Sequence, residues 1–274
     1  MHWPLVLGFA VLAIPTLVTL AREVWTLEIG AHGPIVLATG IWLLWTQIPD
    51  MRATAGRPGS ALLIASIMMP ALALYVFGRA YDFISLEALG VYCAGLAMTI
   101  RLIGVRATRR QWFPFLYLAF LLPPPGWLID RITMPLREFV SMVSTTGLRM
   151  LGVPISRDGV TLTVAQYQLL VEDACSGMNS LIGLTAISLL YIYLMHRSSW
   201  RYALLLLAFV IPIAVLANVL RICVLVLLTY HYGDAVAQGF LHMTAGMVLF
   251  GVALAMVFSL DTLLQKFLAR RSAA

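Results

Sequence analysis

Charge is what this chain has least of. Only 11% of its 274 residues are Asp, Glu, Lys or Arg, while 61% are hydrophobic, too little polar surface to keep a soluble protein of this length in water. The formal charge of +6 is spread over short loops rather than gathered into a patch, which argues against a nucleic-acid partner. Cysteine is also scarce. Cys93, Cys175 and Cys223 form an odd set without Cys-x-x-Cys spacing, which excludes a disulfide framework or zinc knuckle and leaves at least one thiol free. There is no Walker A loop, dinucleotide glycine fingerprint, His-Glu-x-x-His pair or metal-spaced Cys/His set. The sequence therefore calls for no nucleotide, metal or other cofactor. Internal repeats, low-complexity tracts and flexible domain linkers are absent as well.

What the chain has instead is long apolar runs. Eight segments, 3–21, 33–49, 60–79, 85–104, 111–123, 176–195, 201–230 and 238–264, predict an all-α polytopic membrane protein with about eight transmembrane helices. The second and fifth are short. The fifth runs into Leu122-Pro123-Pro124-Pro125-Gly126, whose missing amide donors end a helix. The first reads as a retained helix, not a cleaved signal. The 2–3, 4–5 and 6–7 loops and the C-terminal tail carry Arg52, Arg57, Arg101, Arg106, Arg109, Arg110, Arg197, Arg201, Lys266, Arg270 and Arg271. The positive-inside rule makes these cytoplasmic, with both termini inside and the 124–175 connection outside.

Within that connection, Ile129, Ile132, Leu136, Phe139, Val140 and Val143 recur at helical steps opposite Arg137, Ser141, Ser144 and Thr145. This predicts an interfacial amphipathic helix. The alternation Val160, Leu162, Val164 followed by Tyr167, Leu169, Val171 predicts a short β-hairpin ahead of Cys175, although Ala165-Gln166 lacks the usual Asn-Gly turn chemistry.

Three chemically capable groups fall toward the outer face. Cys175 stands in Glu172-Asp173-Ala174-Cys175-Ser176-Gly177, Arg221 in Asn218-Val219-Leu220-Arg221, and His242 in His242-Met243-Thr244-Ala245-Gly246. By helical rise Arg221 lies on the order of 13 Å below the end of its segment and His242 on the order of 6 Å below the start of its own. An arginine in a spanning helix costs about 2.5–3.5 kcal/mol and faces a protein interior or a water-filled cavity. Asn218 shares its face, Cys223 points elsewhere, and Gly246 shares the face of His242. The set fits thiol-based acyl transfer: Cys175 attacks a peptide carbonyl, His242 takes and returns protons, and Arg221 stabilises the oxyanion. A nearby cation lowers a thiol pKa and apolar burial raises it, so Cys175 depends on Arg221 or His242 being close. Glu172 and Asp173 would orient His242 or bind substrate, or else raise the thiol pKa.

Each residue has a plainer reading. Membrane cysteines are usually inert small hydrophobes, the reading taken for Cys93 and Cys223. Ser176 lacks a nucleophile elbow and suits a helix cap. Arg221 would serve equally as a structural pair or an anion site, and His231 competes with His242. Gly95 and Gly183 suit close helix packing. A transporter or lipid-substrate translocator using Arg221 as an anion site is the alternative function, and a non-catalytic membrane scaffold a third.

Taken in order along the chain, Ala174-Cys175-Ser176-Gly177, Asn218-Val219-Leu220-Arg221 and His242 with Gly246 resemble the exosortase branch of the exosortase/archaeosortase family. Leu122-Pro123-Pro124-Pro125, Pro135-Leu136 and Gly152-x-Pro154 leading to Gly159 add to the likeness, which covers roughly residues 110–250. The resemblance implies a membrane cysteine transpeptidase or protease with Cys175, Arg221 and His242 as its triad. Its substrates would be exported proteins ending in a short motif such as Pro-Glu-Pro, one transmembrane helix and a basic tail. The setting it implies is the inner membrane of exopolysaccharide-producing Gram-negative bacteria, with the site near the periplasmic face. A thioester would be resolved by an acceptor amine or by water. The chain is expected to be one membrane-embedded domain, 1–274. Within it, residues 1–110 form a four-helix region, residues 111–264 the catalytic region and residues 265–274 a basic cytoplasmic tail.

Overall fold

The computed structural model describes residues 3–27, 30–170, 177–195, 200–233 and 240–272, without the side chains of 170, 177–181, 200, 240–247 and 267–272. It is mostly helical, with helices where the apolar runs stand. The chain divides into two compact units, Met1–Pro125 and Gly126–Ala274.

The first unit contains α1 (Trp3–Thr19, continued by a π-turn Leu20–Val24), α2 (Gly33–Ala53), α3 (Ala61–Ala80), α4 (Ile84–Ile103), α5 (Val105–Arg110) and α6 (Trp112–Leu118, closed by a 3-10 turn Ala119–Leu121). Ser60 caps α3 by accepting from the Leu63 amide, and Pro34 opens α2. Glycines set the closest approach, between α3 and α4. A Cβ on Gly78 would collide with the Glu87 amide nitrogen, and one on Gly90 would lie 2.6 Å from the Ala71 carbonyl oxygen, so only glycine permits this approach. α1 packs on α4, and α2 on α6. The α2–α6 pair is pinned by a 2.9 Å hydrogen bond between the Thr39 and Tyr117 hydroxyls and by His32 Nε2 at 3.1 Å from the Phe120 carbonyl. Burial lowers the His32 pKa, against the weaker opposing effect of the Phe120 bond.

The second unit contains α7 (Gly126–Met150), the antiparallel strands β1 (Ile155–Asp158), β2 (Thr161–Val164) and β3 (Tyr167–Leu170), then α8 (Gly177–Met195), α9 (Trp200–Tyr232) and α10 (Phe240–Ser272). The expected hairpin is β2–β3, with Val164 opposite Tyr167. Its two-residue connection holds Ala165 at φ +51°. A further strand, β1, joins β2 through a turn with Gly159 at φ +58°, where glycine carries no Cβ penalty. Val171, expected in the hairpin, lies outside the described residues. Leu162, Val164 and Leu169 point into one core with Val140 and Leu148 of α7 and Ile222, Leu225 and Val226 of α9.

The structure corrects the sequence reading in two respects. Among the described residues, five helices are long and apolar enough to cross a membrane, or six if Trp112–Leu121 and Gly126–Met150 count as one span, rather than eight. The last turns of α2 carry Gln47, Asp50 and Arg52, and the described apolar stretch of α8 is only Ile182–Met195. Helix α6 with its 3-10 turn covers about 15 Å of a core about 30 Å thick. The amphipathic helix α7 is present, but its packed side combines the hydroxyl residues with Val140 and Leu148, and part of its apolar side is exposed. Ser141, Ser144 and Thr145 are buried while Ile132 and Phe139 are 67% and 48% exposed. Small hydroxyl side chains let helices approach where lipid supplies no hydrophobic drive. Ser144 Oγ donates to the Val219 carbonyl of α9 (3.4 Å), Ser141 Oγ to the Gly159 carbonyl (3.2 Å), and Arg149 Nε to the Ile155 carbonyl (2.9 Å).

Candidate active site

Helix α9 carries the two site residues whose side chains are described. It is 33 residues long and packs with two faces. Val215, Val219 and Ile222 meet α7 and the sheet, whereas Val210, Ile213, Ala214 and Ala217 meet Leu184 of α8 and Ala253 and Val257 of α10. Asn218 and Arg221 each follow a residue of the second face, Ala214 and Ala217, by four positions, so they continue that face one turn further along. Both are almost wholly enclosed, at 5% and 4% exposure. Cys223 packs against the opposite cluster, as its position on the helix requires.

A polar fastening at the other end of α8, α9 and α10 fixes their relative heights. The carboxylate of Asp261 in α10, 1% exposed, accepts from the hydroxyls of Tyr191 in α8 (2.5 Å) and Tyr202 in α9 (2.6 Å) and from the Gln265 amide (3.0 Å). The Leu184 core is the next level, and between the two levels the chain direction alternates from helix to helix. Arg221 is nineteen residues beyond Tyr202, and His242 is nineteen residues before Asp261. At 1.5 Å per residue both backbones stand about 28 Å from the fastening, on the same side, and the start of α8 at Gly177 stands about 21 Å from it.

The described residues therefore include Asn218 and Arg221 in full, and His242 and Gly246 as helix backbone, His242 at the height of Arg221 and Gly246 about level with Asn218 one turn nearer the fastening. Glu172, Asp173, Cys175 and Ser176 lie outside the described residues, immediately before α8. Sequence reasoning missed Tyr191, Tyr202 and Asp261, and in the first unit it missed Glu87, which accepts from Thr16 (2.7 Å) and Arg79 (3.3 Å). The available signal was a lone acid inside an apolar run, which rarely persists without partners. Among the described residues no cluster of His, Cys, Asp and Glu could hold a metal ion.

Neither a curated protein nor a solved structure matches the chain. A family model described as transmembrane exosortase matches residues 24–259, which include α2 to α9 and the start of α10. With its apolar helices and its buried Asn218–Arg221 turn, this multi-pass membrane protein belongs to the transmembrane exosortase family.

Proposed function

We propose that the protein is a membrane cysteine peptidase or transpeptidase that cleaves the C-terminal sorting signal of exported proteins through a thioester at Cys175. The observation that carries this reading is the buried Arg221, at the height of His242, in a chain of the exosortase family. The Cys175 thiolate attacks the scissile carbonyl. The tetrahedral oxyanion is met by the Arg221 guanidinium, a fixed cationic donor in a water-poor site. His242 protonates the departing amine as the carbon–nitrogen bond breaks, leaving the thioester. An acceptor amine or water then attacks, His242 removes its proton, and the Cys175 thiolate is released. Asn218 supports Arg221 from the same helix face, and Gly246, one turn from His242, leaves room for substrate. Glu172 and Asp173 orient His242 or bind substrate.

The substrate carries a Pro-Glu-Pro-like motif, a transmembrane helix and a basic tail. In the proposed topology the apolar segments are embedded in a bacterial inner membrane, both termini are cytoplasmic, and the site lies near the periplasmic face. The basic tail, retained inside, then leaves the motif at the level of Cys175.

The test is an immunoblot of a tripartite-tail substrate coexpressed with the wild-type chain or with Cys175→Ala, at matched membrane abundance. A size shift that disappears with Cys175→Ala is the expected result. Processing that survives Cys175→Ala would sink the thioester mechanism. Dependence on Arg221 but not on Cys175 would transfer the function to anion translocation.

A further inference from the structure

The first unit contains a cavity of about 320 Å³ that lies wholly within it. One wall is the α1–α4 pair, from Phe9 to Leu20 and from Ala88 to Thr99; the other is α2 with Phe115–Leu122. On α1 and on α4 the lined stretch spans eleven residue steps, about 16 Å. That is close to half of a hydrocarbon core about 30 Å thick, the depth of one leaflet.

The polar groups on the walls are already engaged. The Thr16 hydroxyl donates to Glu87, Tyr92 donates to the Phe115 carbonyl (2.8 Å), and Thr99 to the Gly95 carbonyl (2.8 Å). An occupant meets only hydrocarbon there. A flexible acyl chain matches both this apolar lining and its length of about 16 Å.

An ion pair, Arg79–Glu87, stands beside the residues that line one end of the cavity. Arg79 stands at the end of α3, and its Nη1 donates to Thr19 (3.1 Å) and Glu87 (3.3 Å), next to the lining residues Leu20 and Ala88. Its side chain is 49% exposed, and a guanidinium has five donors, so donors other than those on Nη1 remain for a phosphate at headgroup depth. We infer that this cavity is a phospholipid site: one acyl chain lies between α1–α4 and α2–α6, and the headgroup phosphate sits beside Arg79.

The test uses the full-length chain reconstituted in phosphatidylethanolamine vesicles with a trace of phosphatidylglycerol bearing a diazirine on one acyl chain. Light-induced labelling is mapped by peptide. Lipid that merely surrounds the protein labels the exposed face of α3, where Leu62 and Met69 are 82% and 68% exposed, and this peptide is the internal control. Peptides containing Leu17 and Val91 are expected to label well above it. Val91→Trp, or independently Leu17→Trp, should cut cavity labelling about fivefold with the α3 signal unchanged, and Arg79→Gln should do the same by removing one cation from the headgroup. A diazirine monoacylglycerol, which has no phosphate, should be insensitive to Arg79→Gln. Equal labelling of α3 and the cavity, which means surrounding lipid only, would overturn the site. So would α3 labelling with none in the cavity, which means other segments of the chain cover it. An Arg79→Gln variant that labels as wild type would remove the phosphate contact.

Discussion

Each unit buries a carboxylate among apolar helices, but the two are held by different chemistry. Glu87 in the first unit is 3% exposed and takes one of its bonds from Arg79, a half-exposed cation. Asp261 in the second takes its bonds from two tyrosine hydroxyls and an amide, joining α8, α9 and α10. A surface cation exchanges partners readily with water or an anion, whereas two half-buried tyrosine hydroxyls at 2.5 and 2.6 Å tie the carboxylate to neighbouring helices. The Glu87 end can therefore receive a ligand. The Asp261 end fixes helix register, and with it the height of Arg221 and His242.

The largest expected effect separates the buried Arg221 from an ordinary arginine. Arg221→Ala should reduce substrate processing by about a hundredfold or more, and Arg101→Ala, at the exposed end of α4, by less than about twofold. Similar processing by both variants in the immunoblot would remove Arg221 from the reaction. The carboxylates come next. Asp261→Ala should cost about 3 kcal/mol because two charge-assisted bonds between helices, from Tyr191 and Tyr202, are lost, while Tyr202 keeps its 3.2 Å bond to the backbone carbonyl at that position. Glu87→Ala should cost about 1 kcal/mol, because Thr16 keeps its bond to the Leu12 carbonyl (3.1 Å) and Arg79 turns to solvent. Denaturant unfolding in detergent measures both, and equal losses would erase the distinction.

A smaller effect is pH-dependent and confined to the first unit. The folded His32 pKa lies below the ordinary histidine value of 6.5, so below that value the unfolded chain binds the proton more readily than the folded one. Its contribution is therefore complete above pH 6.5 and falls as the pH drops through the window down to the folded pKa. His32→Gln should flatten the stability profile in that window, and an unchanged profile would mean that other groups produce it. The smallest effect compares two left-handed positions, Asp82 at φ +57° and Ala165 at φ +51°. Aspartate enters the left-handed region more readily than alanine does. Ala165→Gly should stabilise by about 0.5 kcal/mol and Asp82→Gly should be close to neutral, as read by thermal unfolding.

The helices were legible because the hydrocarbon core demands long apolar runs, and the 60–79 and 85–104 segments correspond to Ala61–Ala80 and Ile84–Ile103. The β2–β3 hairpin was legible from its period of two. Strand β1, Ile155-Ser156-Arg157-Asp158, was not, since its three exposed polar residues show no alternation and it is defined by pairing with β2. The site motifs were visible as residue types in a fixed order. Counting from segment ends put Arg221 and His242 toward the outer face but about 7 Å apart in depth; the fastening of Tyr191 and Tyr202 on Asp261, from another helix, brings their backbones to one level.

The sequence by itself determined the class of protein, the positions of the helices and the Asn218–Arg221 turn, through hydropathy and periodicity that act within one segment. Tertiary structure decided which face of each helix packs and at what height. Helix α7 shows why: in a membrane both lipid and protein interior are apolar, so its pattern divides the helix into two faces without saying which meets the protein. Ser141 and Ser144 face inward because they find carbonyl partners at Gly159 and Val219, and only the folded chain supplies those.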